Sequence, residues 1–429
     1  MPLLLSNEFG NETAAATSKM RFINMNARMF YRQRVSMLLA FLMVLCLSSC
    51  NANNANKPLN IVVDMGNLTY STDVSKMIEA YKSSNPKTEI ITDFIIYSEA
   101  DARSGFAERN AKVEQIKAAM LSGKGPDVII SFDQSKMTDS SFFNNTRTAL
   151  IPNPYKSMQA DVFLDLTDQL SSNDLIKKIN HTFLDASSFY VKTFLLTLSY
   201  SIYCLVVNMA LEAPYNVYFE NSLEVVKRNP ALYFDYLSNA QIYFGKSLLD
   251  FNSRKVTISS EEAALWVEEL YKTSKSTDTA NNSDLSILEI SSYKDRSDIV
   301  SEKTRFASVM GINGNFVSGI TGYAGILSNC TNKNIAFEFI SHIFNSAELS
   351  SYGFCVNSEQ NEAQFNKNYL PTNYKQNLQT AQEKISGAYY GNDGSFQLLV
   401  SCYPYLTEQA KLDACVSEAM SKMELLIKE

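Results

Sequence analysis

The sequence predicts an α/β fold, and three observations carry that reading. The segment that begins near position 58 alternates strand, helix, strand, helix, strand. Two long stretches further on carry no charge and are rich in hydroxyl, amide and glycine residues. The 429 residues are 45% hydrophobic, with 23 Tyr and 25 Phe, which is enough apolar side chain for a packed core and excludes a disordered chain.

Leu59 to Asp64 (LNIVVD) is a short apolar run of the kind that forms a buried strand. Asp73 to Ser83 places Val74, Met77, Ile78 and Tyr81 at helical spacing, with Ser71 or Thr72 available as a cap and Asn85-Pro86 as a stop. Thr88 to Tyr97 reads as a second strand. Lys112 to Leu121 reads as a helix that puts Val113, Ile116 and Met120 on one face and ends at Gly123. Val128 to Phe132 (VIISF) completes the unit as a third strand. Later, Ser259 and Glu262 form a capping box that opens a helix with Ala263, Val267, Leu270 and Tyr271 on its inner face. Trp266, the single Trp, lies beside that stripe and reads as a packing residue. Asn334 to Ser346 and Glu408 to Lys428 carry two further amphipathic stripes.

The uncharged stretches run for 19 residues between Lys192 and Glu212 and for 27 residues between Arg305 and Lys333. Their Thr, Ser, Tyr and Asn content, and five glycines in the second, favour buried strands and turns over lipid-facing helices. Uncharged chain passing twice through an interior suits a hinge and the floor of a cleft.

The first fifty residues read as an address. Arg28, Arg32 and Arg34 precede Val35 to Leu47, a 13-residue uncharged run. A helix that spans hydrocarbon needs about 20 residues, so the run suits a signal peptide. It ends in Leu47-Ser48-Ser49-Cys50, which resembles a bacterial lipobox, with Cys50 as the lipidated residue. Residues 1–49 are therefore expected to be leader and lipoprotein signal peptide, and 50–57 a polar tether. Met20, Met25 and Met29 are alternative starts. With 38 basic against 45 acidic residues, the formal charge is −7, which argues against a nucleic-acid surface. Beyond the signal remain Cys204, Cys330, Cys355, Cys402 and Cys415, an odd number with no CxxC, so buried free thiols are expected rather than a disulfide framework.

Four segments carry a resemblance. Ala118 to Ile129 (AAMLSGKGPDVI), Leu164 to Thr167 (LDLT), Ser199 to Asn208 (SYSIYCLVVN), and Gly322 to Ile326 with Asn332 to Ile340 occur in one order behind the lipobox. Together they are similar to the extracellular solute-binding lipoproteins of ABC importers, of the carbohydrate-binding type that includes the maltodextrin-binding proteins. The resemblance implies a two-lobed periplasmic-binding-protein-like fold with a hinge and an interlobe cleft. Lobe one is then expected at 58–197 plus 323–356, and lobe two at 198–322 plus 357–429. It implies a lipid-anchored receptor on the extracellular face of a bacterial cell membrane, monomeric, that captures a small solute, a sugar first of all, and delivers it to ABC permease transmembrane subunits.

A sugar presents hydroxyls at its rim and C–H groups on its faces, so its site needs short polar side chains and aromatic planes. The positions that match the family's ligand segments are Asp64, Gly66 and Asn67; Ser131, Asp133 and Gln134; Tyr200 and Ser201; Asn313 and Asn315; and Tyr389, Tyr390 and Phe396. Other readings stay open: Asp64, Asn67 and Asp133 also suit caps, and Tyr389-Tyr390 beside Gly391 also suits a packed hairpin. Sugar sites often use Trp, and this chain departs from that pattern. No HExxH, GxSxG or Walker-type loop is present, and with two histidines, His181 and His342, a histidine-rich metal site is not expected. The chain is thus expected to be no enzyme and to need no cofactor or metal. The rival reading is a binding-protein-like sensor or surface interaction protein without a transport role.

Overall fold

In a computed structural model the chain is described at residues 57–65, 71–96, 107–132, 149–208, 222–238, 240–275, 285–290, 307–310, 316–368, 372–391 and 393–428. The chain divides at Lys57/Pro58 into two units, and the fold below is that of Pro58–Glu429. The signal run, the tether and Cys50 lie outside the described residues.

The expected opening unit is present. Strand β1 (Leu59–Asp64) is followed by α1 (Ser71–Ser84), β2 (Ile90–Ile95), α2 (Ala107–Leu121) and β3 (Val128–Phe132). β1 pairs in parallel with β2 on one side and β3 on the other. Helix α1 buries Val74, Met77, Ile78 and Tyr81, and the Tyr81 ring meets Phe339 edge-on at 5.2 Å. Helix α2 ends at Gly123, whose φ of 72° closes the last turn. Asp127 then explains the Pro-Asp motif: its carboxylate accepts the Asn60 N–H at 2.9 Å, and its own N–H donates to the Asn60 carbonyl at 2.8 Å. The start of β3 is clasped to β1 by that pair.

Helices α3 (Pro154–Gln159), α4 (Thr167–Ser172) and α5 (His181–Ala186) lead into β4 (Leu195–Asn208). Further on come α6 (Ser222–Lys227), α7 (Pro230–Ser238), α8 (Ala240–Phe244) and α9 (Ser260–Ser274), with a small hairpin at 249–256 between the last two. The capping box at Ser259 and Glu262 forms as expected. β5 (Leu285–Ile290), β6 (Ala307–Met310) and β7 (Phe316–Ile326) follow, then α10 (Lys333–Phe344), β8 (Phe354–Cys355), α11 (Ser358–Lys367), α12 (Thr372–Glu383), β9 (Ile385–Tyr389), α13 (Asp393–Leu406) and α14 (Leu412–Lys428).

These nine strands join one sheet, whose main order is β6-β4-β7-β3-β1-β2, with β5 and β8 also on β4 and β9 on β7. β4 and β7 are the two uncharged stretches. Every residue of β7 is buried, and a strand covered on both faces has no place for a charge. Two of the β7 glycines are required by close packing. A Cβ at Gly322 would stand 2.6 Å from the Phe132 ring, and one at Gly325 would stand 2.6 Å from the Phe163 ring. Among the described residues no helix is long and apolar enough to cross a membrane.

The interior falls into two cores. One gathers β1–β3, β7, α1, α10 and the first ten residues of β4, from Leu195 to Cys204. The other gathers Leu205, α7, α9, α13 and α14, and Trp266 is fully enclosed in it. β4 thus runs without a break from one core into the other. Tyr374, Leu378, Ala381, Ile385 and Tyr390 belong to the first core. α12 and β9 therefore pack with β1–β3 and α1 in that core.

Candidate functional site

The register sets four polar side chains in a row across four strands. Asp64 on β1 is the partner of Ser131 on β3, Ser131 of Tyr323 on β7, and Tyr323 of Thr197 on β4. Residues directly opposite one another share a sheet face, so these four side chains form one polar line at the carboxyl ends of β1 and β3. All are buried. Arg109 of α2 reaches the line and places Nη2 2.6 Å from Asp64 Oδ1, while the Leu150 N–H donates to Oδ2 at 3.3 Å. Tyr390 closes the far end: its hydroxyl lies 2.8 Å from Ser187 Oγ and 3.0 Å from Thr197 Oγ1, and its ring meets Tyr323 edge-on at 5.2 Å. Burial pushes the Tyr390 phenol up to about 12 and the Tyr323 phenol higher still, so both stay neutral.

The expected site residues fall into three sets. Asp64, Ser131 and Tyr390 belong to this row and its cap. Tyr200 and Ser201 are neighbours on β4 and so point to opposite faces. The Tyr200 ring packs on Phe183 at 4.6 Å and Phe354 at 5.6 Å. Ser201 donates to the Gly319 carbonyl at 3.4 Å. Tyr389 ends β9 and lies parallel to Tyr203 at 6.3 Å. It is no hairpin residue, since β9 pairs in parallel with β7 and continues into α13. Gly66, Asn67, Asp133, Gln134, Asn313 and Asn315 lie outside the described residues, as does the side chain of Phe396.

A concavity of about 280 Å³ opens between the two cores. Tyr155, Asp185 and Ser386 line it from the first, and Asp250, Phe251 and Asn252 from the hairpin at 249–256. The two sides touch beside it. Tyr155 stacks on Phe251 with centroids 4.7 Å apart and planes 9° apart, and the Tyr190 N–H donates to Asn252 Oδ1 at 2.8 Å. Tyr155 also meets Tyr390 edge-on at 5.5 Å, which links this contact to the polar row. Arg109, Tyr155, Thr197 and Phe251 escape sequence reasoning. Arg109 sits in the polar first turns of a helix and carries no local sign that its side chain is enclosed.

The described cysteines are all free and buried, as expected. Burial raises the Cys330, Cys355 and Cys402 thiols to about 12, so none is a thiolate nucleophile near neutral pH. Among the described residues no group of three His, Cys, Asp or Glu side chains could hold a metal ion.

No protein-family model and no curated protein matches this chain in sequence. Its fold does match solved structures. A periplasmic oligogalacturonide-binding protein from Yersinia enterocolitica aligns with TM-score 0.61 and 12% identity, over 86% of this chain and 99% of that one. An ABC transporter solute-binding protein from Thermotoga lettingae, bound with α-D-tagatose, aligns with TM-score 0.55 and 11% identity, over 86% and 100%. A de novo designed cysteine esterase aligns with TM-score 0.59 and 11% identity, over 86% and 98%. The chain therefore has the two-lobed α/β fold of the periplasmic solute-binding proteins.

Proposed function

We propose that this chain is a lipid-anchored, extracellular solute-binding receptor that captures a carbohydrate and delivers it to the membrane subunits of an ABC importer. The observation that supports this most is the passage of β4 from the first core into the second as one unbroken strand. Two separately packed bodies on a shared strand can rock without either core being broken. Ligand then stabilises the closed arrangement because only there does it touch both bodies. The neighbours named for sugars share this fold.

The solute lies where the carboxyl ends of β1 and β3 face the second body. In this reading the polar row is the foundation of the cleft. Asp64, Ser131 and Tyr390 hold its floor, and the groups that meet the sugar come from Gly66, Asn67, Asp133, Gln134, Ser201, Asn313, Asn315, Tyr389 and Phe396. Tyr200 faces the other side of β4 and acts from behind. No step of bond making is assigned to the protein.

The test is calorimetry of the purified full chain against neutral sugars, uronic acids, amino acids, peptides and polyamines. A saturable sugar response that Asp133→Ala or Asn313→Ala weakens at least tenfold supports the reading. A response only to a non-sugar moves the solute class, and a sugar response untouched by those variants overturns the site.

A further inference from the structure

A second pocket lies behind the strand that joins the two bodies. It encloses about 400 Å³ between α11 and α12, with β8 and the start of α5 as its other walls. Tyr200 of β4 lies at its base. That volume holds a monosaccharide or a slightly larger molecule. Three aromatic side chains, Phe183, Tyr200 and Phe365, line it together. Cys355 and Val356 add apolar wall, and the polar part is made by Ser358, five amide side chains, Gln379 among them, and the carboxylates of Glu362 and Glu383. The described lining carries no lysine or arginine.

This combination defines a ligand chemistry. Phe183 and Tyr200 are buried against each other with centroids 4.6 Å apart, so Phe365, whose ring lies 5.3 Å from Lys375 Nζ, is the aromatic a ligand would meet. Amides offer both donors and acceptors to hydroxyls, and two carboxylates with no ion pair among the described residues favour a positive charge. An acidic sugar would meet two like charges, which disfavours it. Every described lining residue comes from elements of the first body or from the first-core part of β4, so the pocket is independent of cleft closure.

We propose that this pocket is a second binding site, for a small hydroxylated amine of the amino-sugar class, separate from the interlobe cleft. The proposal does not rest on the transport reading.

The test is titration of the purified full chain with glucosamine, glucose and galacturonate, in the wild type, in the variant Glu362→Gln/Glu383→Gln, and in Asp133→Ala as a cleft control. Both glutamates are exposed, so their substitution should leave the thermal unfolding midpoint unchanged, and Gln379→Ala gives a second variant on the same wall. Glucosamine is expected to bind saturably in the wild type and in Asp133→Ala, and at least tenfold more weakly in the double glutamine variant. Glucose is expected to bind more weakly, and galacturonate not at this site. Absence of saturable glucosamine binding, binding unchanged in the double variant, or equal competition by galacturonate overturns the proposal. Loss of glucosamine binding in Asp133→Ala alone assigns the response to the cleft and overturns it as well.

Discussion

Arg109 Nη2 stands 2.6 Å from Asp64 Oδ1, and neither side chain is more than 6% exposed. The pair ties the second helix to the end of the first strand. A buried ion pair adds little over an apolar pair of the same shape, but breaking one strands the remaining charge. Arg109→Met is therefore expected to lower unfolding free energy by about 3–5 kcal/mol. Asp64→Leu placed in the same chain should restore most of that loss. Urea denaturation of the two variants decides it, and a mild effect in Arg109→Met would show that the pair carries little of the local structure.

Tyr390 joins three elements through one hydroxyl, which lies within 3.0 Å of both Ser187 and Thr197. Removing it leaves the two smaller hydroxyls, 2.5 Å apart, to each other. Tyr390→Phe should cost about 1 kcal/mol, the usual net worth of a hydrogen bond, because Ser187 and Thr197 still satisfy each other. The fold should persist, because the ring contacts with Tyr155 and Tyr323 remain. Near-ultraviolet circular dichroism alongside urea melts separates the two effects.

The buried thiols give stability a definite alkaline limit. Cys330, Cys355 and Cys402 are raised from 9.0 to about 12, chiefly by burial. The Tyr390 phenol is raised from 10.0 to about 12 for the same reason. Each group stays protonated in the folded chain while its unfolded counterpart ionises. Their contribution is fully present below about pH 9 and is lost as pH climbs toward 12. The urea midpoint should hold steady from pH 7 to about 9 and then fall. Mass-mapped alkylation at pH 8 should leave these three thiols unmodified until the chain is unfolded, and rapid native labelling would contradict their burial.

The proposed lipid anchor is tested apart from the solute. Expressed in a bacterium with lipoprotein processing, the full chain should partition into the detergent phase, and its first processed residue should be an acylated Cys50. Cys50→Ser should move it to the aqueous phase without changing solute affinity. Detergent partition that survives the substitution would reassign the anchor.

Much of the fold is legible in the chain, because its signals are local. Val74, Met77, Ile78 and Tyr81 announce α1 by spacing alone, and Val128 to Phe132 is a strand of five buried residues as its composition suggests. Helix α13 is harder to read because it contains Pro404, which usually ends a helix. The site is less legible because its partners are distant. Asp64 finds Arg109 45 positions away, and Tyr390 finds Ser187 203 positions away. No periodicity records such choices. Tyr200 and Ser201 show the same limit, since they are adjacent in sequence yet serve opposite faces of one strand.

Small-angle X-ray scattering of the full chain, free and saturated with the sugar that calorimetry identifies, tests the central claim most directly. If two bodies swing on β4 around a guest, the radius of gyration falls on saturation and the change follows the binding isotherm. A radius that stays constant while the sugar binds would contradict closure.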